Sequence, residues 1–295
     1  MNKIMCALIG VSFAAMGSSF TTAQETSAAE MTGPPAVLQI QREFLKPGKA
    51  GVIHDRSESN FVQAMAHAKW PTHYFALNSL SGPARALYFT PYASFDAWEK
   101  DRAAVEKNTE LSVALERAEQ SDGDLLSSFD EAVLQYDPDM SYHPPAGLGK
   151  IRYLEITVFK IHPGHGMDFR SLVKMYVDGV GKAGMEDANW ATFEMAYGGG
   201  DEYIVMSTDK SMADIDKSNA DGKKFRDALG EEGMKKFSEL EAASVESIDS
   251  ELFAINPRQS YPPQSWIDQD PSFWNAKPIM ASAAKPALAK DKKAK

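Results

Sequence analysis

The sequence contains a single cysteine, and this scarcity restricts the chemistry open to the chain. Cys6 lies in the N-terminal 23 residues, so a chain that has lost this segment has no cysteine. Such a chain has no disulfide, no thiolate metal ligand and no cysteine nucleophile. Basic residues are also few. The 31 Lys and Arg against 41 Asp and Glu give a net charge of −10, which argues against general binding to a nucleic-acid backbone.

Several sequence motifs that would indicate particular enzymes are absent as well. The chain has no His-Glu-x-x-His, no Gly-x-Ser-x-Gly and no Gly-Lys-Ser/Thr segment. These absences leave metallohydrolase, serine-hydrolase and phosphate-loop chemistry without support. Gly198, Gly199 and Gly200 form a glycine run, but it connects two predicted strands and does not precede a helix.

The N-terminus has the pattern of a secretory signal, which we assign to residues 1–23. Lys3 supplies the positive charge, and residues 4–16 form an uncharged run that is too short to span a bilayer comfortably. Small residues follow, and cleavage is predicted after Ala23. We therefore predict a periplasmic or extracellular protein with no membrane attachment once the signal is removed.

The chain repeats itself. Four residues near the start of one unit recur 116 positions later, and four near its end recur 119 positions later. The first set is Leu38, Ile40, Pro47 and Gly48, which recur as Leu154, Ile156, Pro163 and Gly164. The second is Pro138, Ser141, Tyr142 and Pro144, which recur as Pro257, Ser260, Tyr261 and Pro263. A nearly constant offset indicates a tandem duplication with small insertions.

The repeat divides the chain into segments. We predict a flexible leader at 24–36, a first unit at 37–145, a linker at 146–150 and a second unit at 151–263. The C-terminal extension, 264–295, is predicted to be disordered from about residue 276, because it is built mostly from Ala, Lys, Pro and Ser.

Each unit shows the same order of predicted elements, β-α-β-β-α-β. Residues 152–161 alternate apolar and polar side chains and predict a strand, after which Pro163-Gly164 introduces a helix with an apolar stripe. The closing strands are predicted at 131–136 and 251–255, each ended by an Asp-Pro or Asn-Pro pair. The repeated Tyr142 and Tyr261 are expected to pin the following tails against the body.

This element order is the ferredoxin-like motif, and its duplication resembles the dimeric α/β-barrel superfamily. The resemblance rests on order and duplication and has no specific motif. It implies an α+β fold in which two tandem ferredoxin-like units form an intramolecular pseudo-dimer. Members of this superfamily include small cofactor-independent monooxygenases, haem-degrading enzymes, chlorite dismutases and stress-response proteins.

We predict no metal and no cofactor. His162 and His165 could supply two ligands, but Lys46 and Lys49 occupy the matching positions of the first unit, which indicates an exposed turn. In haem-degrading relatives the axial histidine lies on the second helix, whereas residues 94–127 and 211–244 contain no histidine. His67, on the first helix, is predicted to be a surface residue.

Aromatic residues on the predicted second strand of each unit are the predicted ligand-binding residues: Trp70 and Tyr74 in the first, Trp190 and Tyr197 in the second. The two tryptophans are expected to line one cavity. His73 and Glu194 lie among them and are the candidate catalytic residues, since a neutral His or a carboxylate can accept a proton from a phenolic substrate. Ordinary packing explains aromatic residues on a strand equally well.

Three functions stay open at this point. The first is an exported protein that binds a small apolar or aromatic molecule. The second is a cofactor-independent monooxygenase, in which the substrate supplies the electrons. The third is a purely structural or interaction module. The predicted partners are accordingly a small apolar ligand and no nucleic acid, and whether the chain is an enzyme is left undecided.

Overall fold

The computed structural model describes residues 33–276. The predicted signal, most of the leader and the tail after residue 276 lie outside the described residues. The described part contains eight strands and seven α-helices. The strands are β1 (Val37–Leu45), β2 (Tyr74–Ser79), β3 (Arg85–Tyr92), β4 (Leu126–Tyr142), β5 (Tyr153–Ile161), β6 (Trp190–Tyr197), β7 (Glu202–Asp209) and β8 (Val245–Tyr261). The helices are α1 (Val52–Ala68), α2 (Phe95–Lys107), α3 (Thr109–Asp122), α4 (Gly166–Lys182), α5 (Met212–Ser244), α6 (Gln264–Gln269) and α7 (Pro271–Trp274).

The eight strands close into one antiparallel barrel in the order β1-β3-β2-β8-β5-β7-β6-β4. The first half of the chain, residues 37–145, supplies four adjacent strands in the order β4-β1-β3-β2. The second half, residues 151–263, supplies β8-β5-β7-β6. The halves therefore join at two seams, β2 with β8 and β4 with β6, and the fold is a mixed α+β fold with a closed eight-stranded barrel.

The barrel is filled with apolar side chains from both halves. Alternate residues of a strand point to opposite faces, and on β5 the inward residues Leu154 and Ile156 are buried as the alternating pattern predicts. Their counterparts on β1 are Leu38 and Ile40. The outward faces of the strands are covered by the helices, and there the two halves differ.

The closing strands β4 and β8 are much longer than predicted. Each runs for 17 residues and continues past the Asp-Pro or Asn-Pro pair that was expected to end it. Pro cannot donate a ladder hydrogen bond, but it is tolerated at a bulge. The strand register shifts at both places, between Asp137 and Tyr142 and between Asn256 and Tyr261.

At each bulge a repeated serine supplies hydrogen bonds that replace the missing ladder bonds. The Ser260 hydroxyl donates to the Asn256 carbonyl, 2.7 Å away, and accepts the Ala76 N–H at 2.9 Å. Ser141 does the same with the Asp137 carbonyl at 2.7 Å and the Thr192 N–H at 2.9 Å. Both serines thus bind a strand of the opposite half, so the same residue type stabilises the bulge of each closing strand.

The repeated tyrosines lie beside these serines. The Tyr261 hydroxyl donates to the Trp70 carbonyl at 3.0 Å. Tyr142 stacks on Trp190 with ring centroids 5.0 Å apart. Both contacts hold the end of a closing strand against the other half. The predicted role of these tyrosines in holding the segments after them stays a prediction.

The second helical region of the first half is divided into two helices. Ser94 caps α2 by accepting the Ala97 N–H, as its position before the helix predicts. Asn108 then ends α2 and caps α3 by accepting the Leu111 N–H. In the second half the corresponding helix, α5, is interrupted only by a non-helical Gly230.

The start of the C-terminal extension closes one end of the barrel. Trp274 on α7 is 5% exposed, and its indole donates to the Gly149 carbonyl at 2.8 Å. Arg152 forms an ion pair with Asp270 and lies over the Phe273 ring. Within residues 33–276, none of the helices has the length and apolar content needed to cross a membrane.

Candidate functional site: a barrel cavity and a buried acidic cluster

The four predicted ligand-binding aromatic residues lie in four different environments. Trp70 precedes β2, and its indole donates to Asp101 at 2.9 Å. Trp190 packs under α4 and α5 and donates to the Met140 carbonyl at 2.9 Å. Tyr197 is 65% exposed at the end of β6, whereas Tyr74 is half-buried on β2 and packs on Ala76, Ala86 and Tyr88. Ligand binding by these residues stays a prediction.

The expectation that Trp70 and Trp190 line one cavity is corrected by the strand register. Tyr74 pairs with Tyr261 across one seam, and Trp190 pairs with Tyr142 across the other. Tyr261 and Tyr142 are the repeated tyrosines, so the counterpart of Trp190 is Tyr74 and not Trp70. The two indoles lie under helices of different halves, and neither lines a described cavity.

The candidate catalytic residues are not brought together either. Burial lowers the pKa of His73, and a hydrogen bond to the Tyr261 backbone opposes this shift. The His73 ring lies 4.7 Å from the Tyr261 ring, and its Nδ1 is buried with no hydrogen-bond partner. Glu194 is half exposed and lies 3.7 Å from Arg170. Neither residue lines the cavity described next.

A cavity of about 120 Å³ opens at the end of the barrel that carries α6. Its wall is mostly apolar. The inner part is formed by barrel residues of both halves, among them Phe75, Phe89, Leu154, Phe193 and Met206. The outer part is formed by Trp266 and by residues 144–148, so the segment that joins the two halves closes over the cavity.

A second, polar site lies between the outer face of the first-half strands and the helices that cover them. We call Glu43, His54, Glu58 and Asp122 the acidic cluster. They come from β1, from the first two turns of α1 and from the end of α3, and all four are buried. Their potential ligand atoms all lie within 4.8 Å of one another. These are the residues of the described chain that could hold a metal ion.

His54 lies at the centre of the acidic cluster and is 0% exposed. Its Nε2 is 3.0 Å from Glu43 Oε2, 3.6 Å from Asp122 Oδ1 and 3.7 Å from Glu58 Oε1. Its Nδ1 is 3.2 Å from the Gln259 side-chain nitrogen. Gln259 belongs to β8, so the second half of the chain contributes to a site built mainly from the first.

Several polar atoms around the acidic cluster are buried without a hydrogen-bond partner among the described residues. They include both carboxylate oxygens of Asp122, one oxygen of Glu58 and the hydroxyl of Tyr74. An unsatisfied buried polar group costs about 1–3 kcal/mol, and more when it is charged. A folded domain holds few such groups, so their concentration at one place calls for a reason.

The electrostatics of the acidic cluster reflect its burial. Burial, and then the neighbouring carboxylates of Glu43 and Asp122, raise the pKa of Glu58 well above its ordinary value. Burial and the charges of Glu58 and Glu43 likewise raise the pKa of Tyr74 and Tyr88, so both phenols stay protonated. The cluster therefore disfavours its own full ionisation unless a positive charge enters.

Three positions of this layer are apolar in the second half, whereas Asp168 stands at the position of His54. Glu43 on β1 corresponds to Phe159 on β5, because each lies three residues after the equivalent isoleucine, Ile40 or Ile156. In α1 the first backbone hydrogen bond is donated by the Asp55 N–H, and in α4 by the Phe169 N–H, so these two residues occupy matching positions. Three residues further along each helix, Leu172 therefore stands at the position of Glu58. The position before the repeated serine is Gln259 in one half and Met140 in the other. The barrel scaffold is therefore compatible with apolar residues here, so the polar set has another origin.

The histidines considered as metal or haem ligands in the sequence analysis lie outside the acidic cluster. The His67 side chain is 78% exposed and 3.6 Å from Glu110, which confirms the predicted surface position. His165 is partly exposed and contacts Asp168 at 2.9 Å. Sequence reasoning missed the acidic cluster. The available signal was the pair His54 and Glu58, four residues apart on a helix whose counterpart has Leu172 at the position of Glu58.

Comparison with known proteins leaves the function open. No family model matches the chain, and no curated protein matches it. Among solved structures, a candidate monooxygenase from Fusobacterium nucleatum has a TM-score of 0.47 at 9% identity and covers 74% of this chain and 91% of its own. An anthrone oxidase-like protein has a TM-score of 0.47 at 12% identity, with 77% and 93% covered. A candidate chlorite dismutase has a TM-score of 0.45 at 13% identity, with 76% and 96% covered. At these scores and identities the likeness carries no functional assignment.

Proposed function

We propose that this protein binds a small apolar or aromatic molecule in the barrel cavity. The observation that supports the proposal is the cavity itself, about 120 Å³ in volume and lined by aromatic and aliphatic side chains. An engineered apolar cavity of about 150 Å³ in another protein binds benzene. The barrel cavity is thus of a size to hold one six-membered ring, with Trp266 and residues 144–148 closing over it.

The test is calorimetric titration of the full chain with toluene. Ala191 lines the cavity, and Ala191→Leu should lower the affinity at least tenfold because the added side chain occupies the ligand volume. Ala66→Leu is the matched control, since Ala66 is an exposed residue of α1 and its replacement should leave binding unchanged. Absence of toluene binding by the parent chain, or equal binding by Ala191→Leu, would refute the proposal.

Cofactor-independent oxygenation is the second candidate function. It is favoured by His73, whose lowered pKa and unpartnered Nδ1 leave a neutral base beside the Tyr261 ring. A base of this kind removes a proton from a phenol or enol, after which the electron-rich anion reacts with O₂. Oxygen uptake with hydroquinones should then fall in His73→Gln and be unaffected in His67→Gln. No uptake above that of buffer would exclude this function.

We further propose that the protein is exported and that its two halves are ferredoxin-like units forming an intramolecular pseudo-dimer. The uncharged run after Lys3 supports the first statement. The matching element order, strand order and repeated serines support the second. An intact Met1 on protein from the native host would contradict export. Experimental coordinates in which the halves do not superimpose strand for strand would contradict the pseudo-dimer. A structural or interaction role is the alternative if no ligand binds.

A further inference from the structure

We propose that the acidic cluster of Glu43, His54, Glu58 and Asp122 is a binding site for one divalent first-row transition-metal ion. This site is separate from the barrel cavity, because its residues lie on the outer face of the strands and on α1 and α3. Glu43 and Glu58 are 2% and 3% exposed, His54 is 0% exposed and Asp122 is 2% exposed.

The spacing of the donor atoms fits a metal ion. Metal–ligand bonds of about 2.1 Å place neighbouring ligand atoms about 3.0–4.2 Å apart, depending on the coordination geometry. His54 Nε2 lies 3.0, 3.6 and 3.7 Å from one oxygen each of Glu43, Asp122 and Glu58. The widest separation in the set, 4.8 Å at most, requires only a small contraction.

The unpartnered oxygens are the second observation. Asp122 Oδ1 and Glu58 Oε1 face His54 Nε2 at 3.6 and 3.7 Å. While both carboxylates are ionised, neither of these oxygens nor Asp122 Oδ2 has a hydrogen-bond donor among the described residues, and without a cation a proton on Glu58 must bridge it to Asp122. Carboxylate oxygens removed from water are retained when they are paired or bind a metal. A cation placed between His54 and these oxygens would satisfy all of them at once.

The types of donor indicate the class of ion. Carboxylate oxygens suit Mg²⁺, Ca²⁺ and Mn²⁺, whereas imidazole suits Zn²⁺, Fe²⁺ and other later first-row ions. Three carboxylates and one imidazole therefore favour Mn²⁺, Fe²⁺ or Zn²⁺ over Ca²⁺. A 2+ ion also reduces the charge of three ionised carboxylates from −3 to −1, which lowers the cost of burying them.

The surrounding residues are of the kind that supports a metal site. A histidine ligand usually hydrogen-bonds through its other ring nitrogen, and Gln259 lies 3.2 Å from His54 Nδ1. The same amide nitrogen donates to Asp55 Oδ1 at 3.0 Å, whereas Gln259 Oε1 is buried without a partner. Metal binding through His54 Nε2 leaves a proton on Nδ1 and therefore requires this amide to turn its oxygen toward the ring. Tyr74 and Tyr88 place two buried hydroxyls near the carboxylates, and the Tyr88 hydroxyl hydrogen-bonds with Glu58.

The experiment uses the full chain, freed of metal with a chelator and then dialysed separately against Mn²⁺ and Zn²⁺. Elemental analysis should find about one ion per chain. The melting temperature should rise by about 5 °C with metal, since a ligand that binds only the folded state stabilises it. For Mn²⁺, the six-line electron paramagnetic resonance signal of the free ion should decrease to a one-to-one end point.

Two variants separate binding from folding. Asp122→Asn should lose at least tenfold in metal affinity. Glu58→Leu introduces the residue found at the matching position of the second half and should fold, bind no metal and melt at or above the temperature of the metal-free parent. The matched control is Asp168→Asn, which changes a partly exposed carboxylate 2.9 Å from His165 and should bind metal as the parent does.

The proposal fails if the parent retains no stoichiometric metal and melts at the same temperature with and without each ion. It also fails if Asp122→Asn and Glu58→Leu bind metal as tightly as Asp168→Asn. The measurements on the parent chain need no variant, so a variant that does not fold leaves the test decisive.

Discussion

Replacing the repeated serines with alanine should weaken the two seams of the barrel separately and additively. Ser260→Ala removes the acceptor of the Ala76 N–H and the donor to the Asn256 carbonyl. Ala76 is 0% exposed, so water cannot replace the lost bond there. An unsatisfied buried donor costs about 1–3 kcal/mol, and we expect a loss of about 2 kcal/mol in the free energy of unfolding.

Ser141→Ala removes the equivalent pair of hydrogen bonds to Thr192 and Asp137. Ser141 is less buried than Ser260, so the expected loss is about 1 kcal/mol. β4 and β8 lie four strands apart in either direction around the barrel. Because distant sites add within about 0.5 kcal/mol, the double variant should lose about 3 kcal/mol.

The assay is urea denaturation followed by circular dichroism, with melting temperatures as a second measure. A loss of 1 kcal/mol lowers the melting temperature of a chain of this size by about 2–4 °C. Ser171→Ala is the control, since this exposed hydroxyl also donates to the carbonyl four residues earlier but accepts nothing from another strand. If Ser260→Ala is as stable as Ser171→Ala, the serines do not stabilise the bulges and this reasoning is wrong.

Three further predictions concern other parts of the fold. Burial, then the charges of Asp214 and Glu155, raise the pKa of Asp209 to about 6. Its contribution to stability is therefore present below about pH 4 and lost as the pH rises through 6. Asp209→Asn should match the parent near pH 3 and exceed it by about 1 kcal/mol at pH 8 in denaturation curves, a value reduced for partial exposure. Trp274→Ala should lose about 3 kcal/mol and expose the C-terminal helices to limited proteolysis, and unchanged proteolysis would contradict this. Gly198→Ala should lose about 2 kcal/mol or more in a thermal melt, because φ is +89° and a Cβ would clash with the Glu131 backbone.

The recurring residues made the element order predictable from the sequence. Leu38 and Leu154 occupy matching strands, as predicted. This was predictable because the alternation of apolar residues and the constant offset can both be read from the sequence itself. The predicted lengths of β4 and β8 were wrong because the prediction took local sequence signals alone into account. A proline ends a strand on local criteria, whereas here a serine three residues later supplies hydrogen bonds to a strand far away in sequence.

The candidate sites were harder to predict. Trp70 and Trp190 were matched by residue type, but strand pairing shows that Tyr74 is the counterpart of Trp190. The acidic cluster combines residues from β1, α1 and α3, and Gln259, which contacts its His54, comes from the other half. No sequence spacing joins residues 43, 54, 122 and 259, because tertiary packing alone brings them together.

The joining of the two halves in one chain has a consequence for how the molecule can diverge. In a symmetric homodimer every substitution appears twice, so a costly polar group burdens both subunits. Here Glu58 faces a polar layer while its counterpart Leu172 belongs to an apolar one. The second half can supply folding stability through Phe169 and its neighbours, and the first half is free to keep buried charges that would destabilise a protein made of two identical parts.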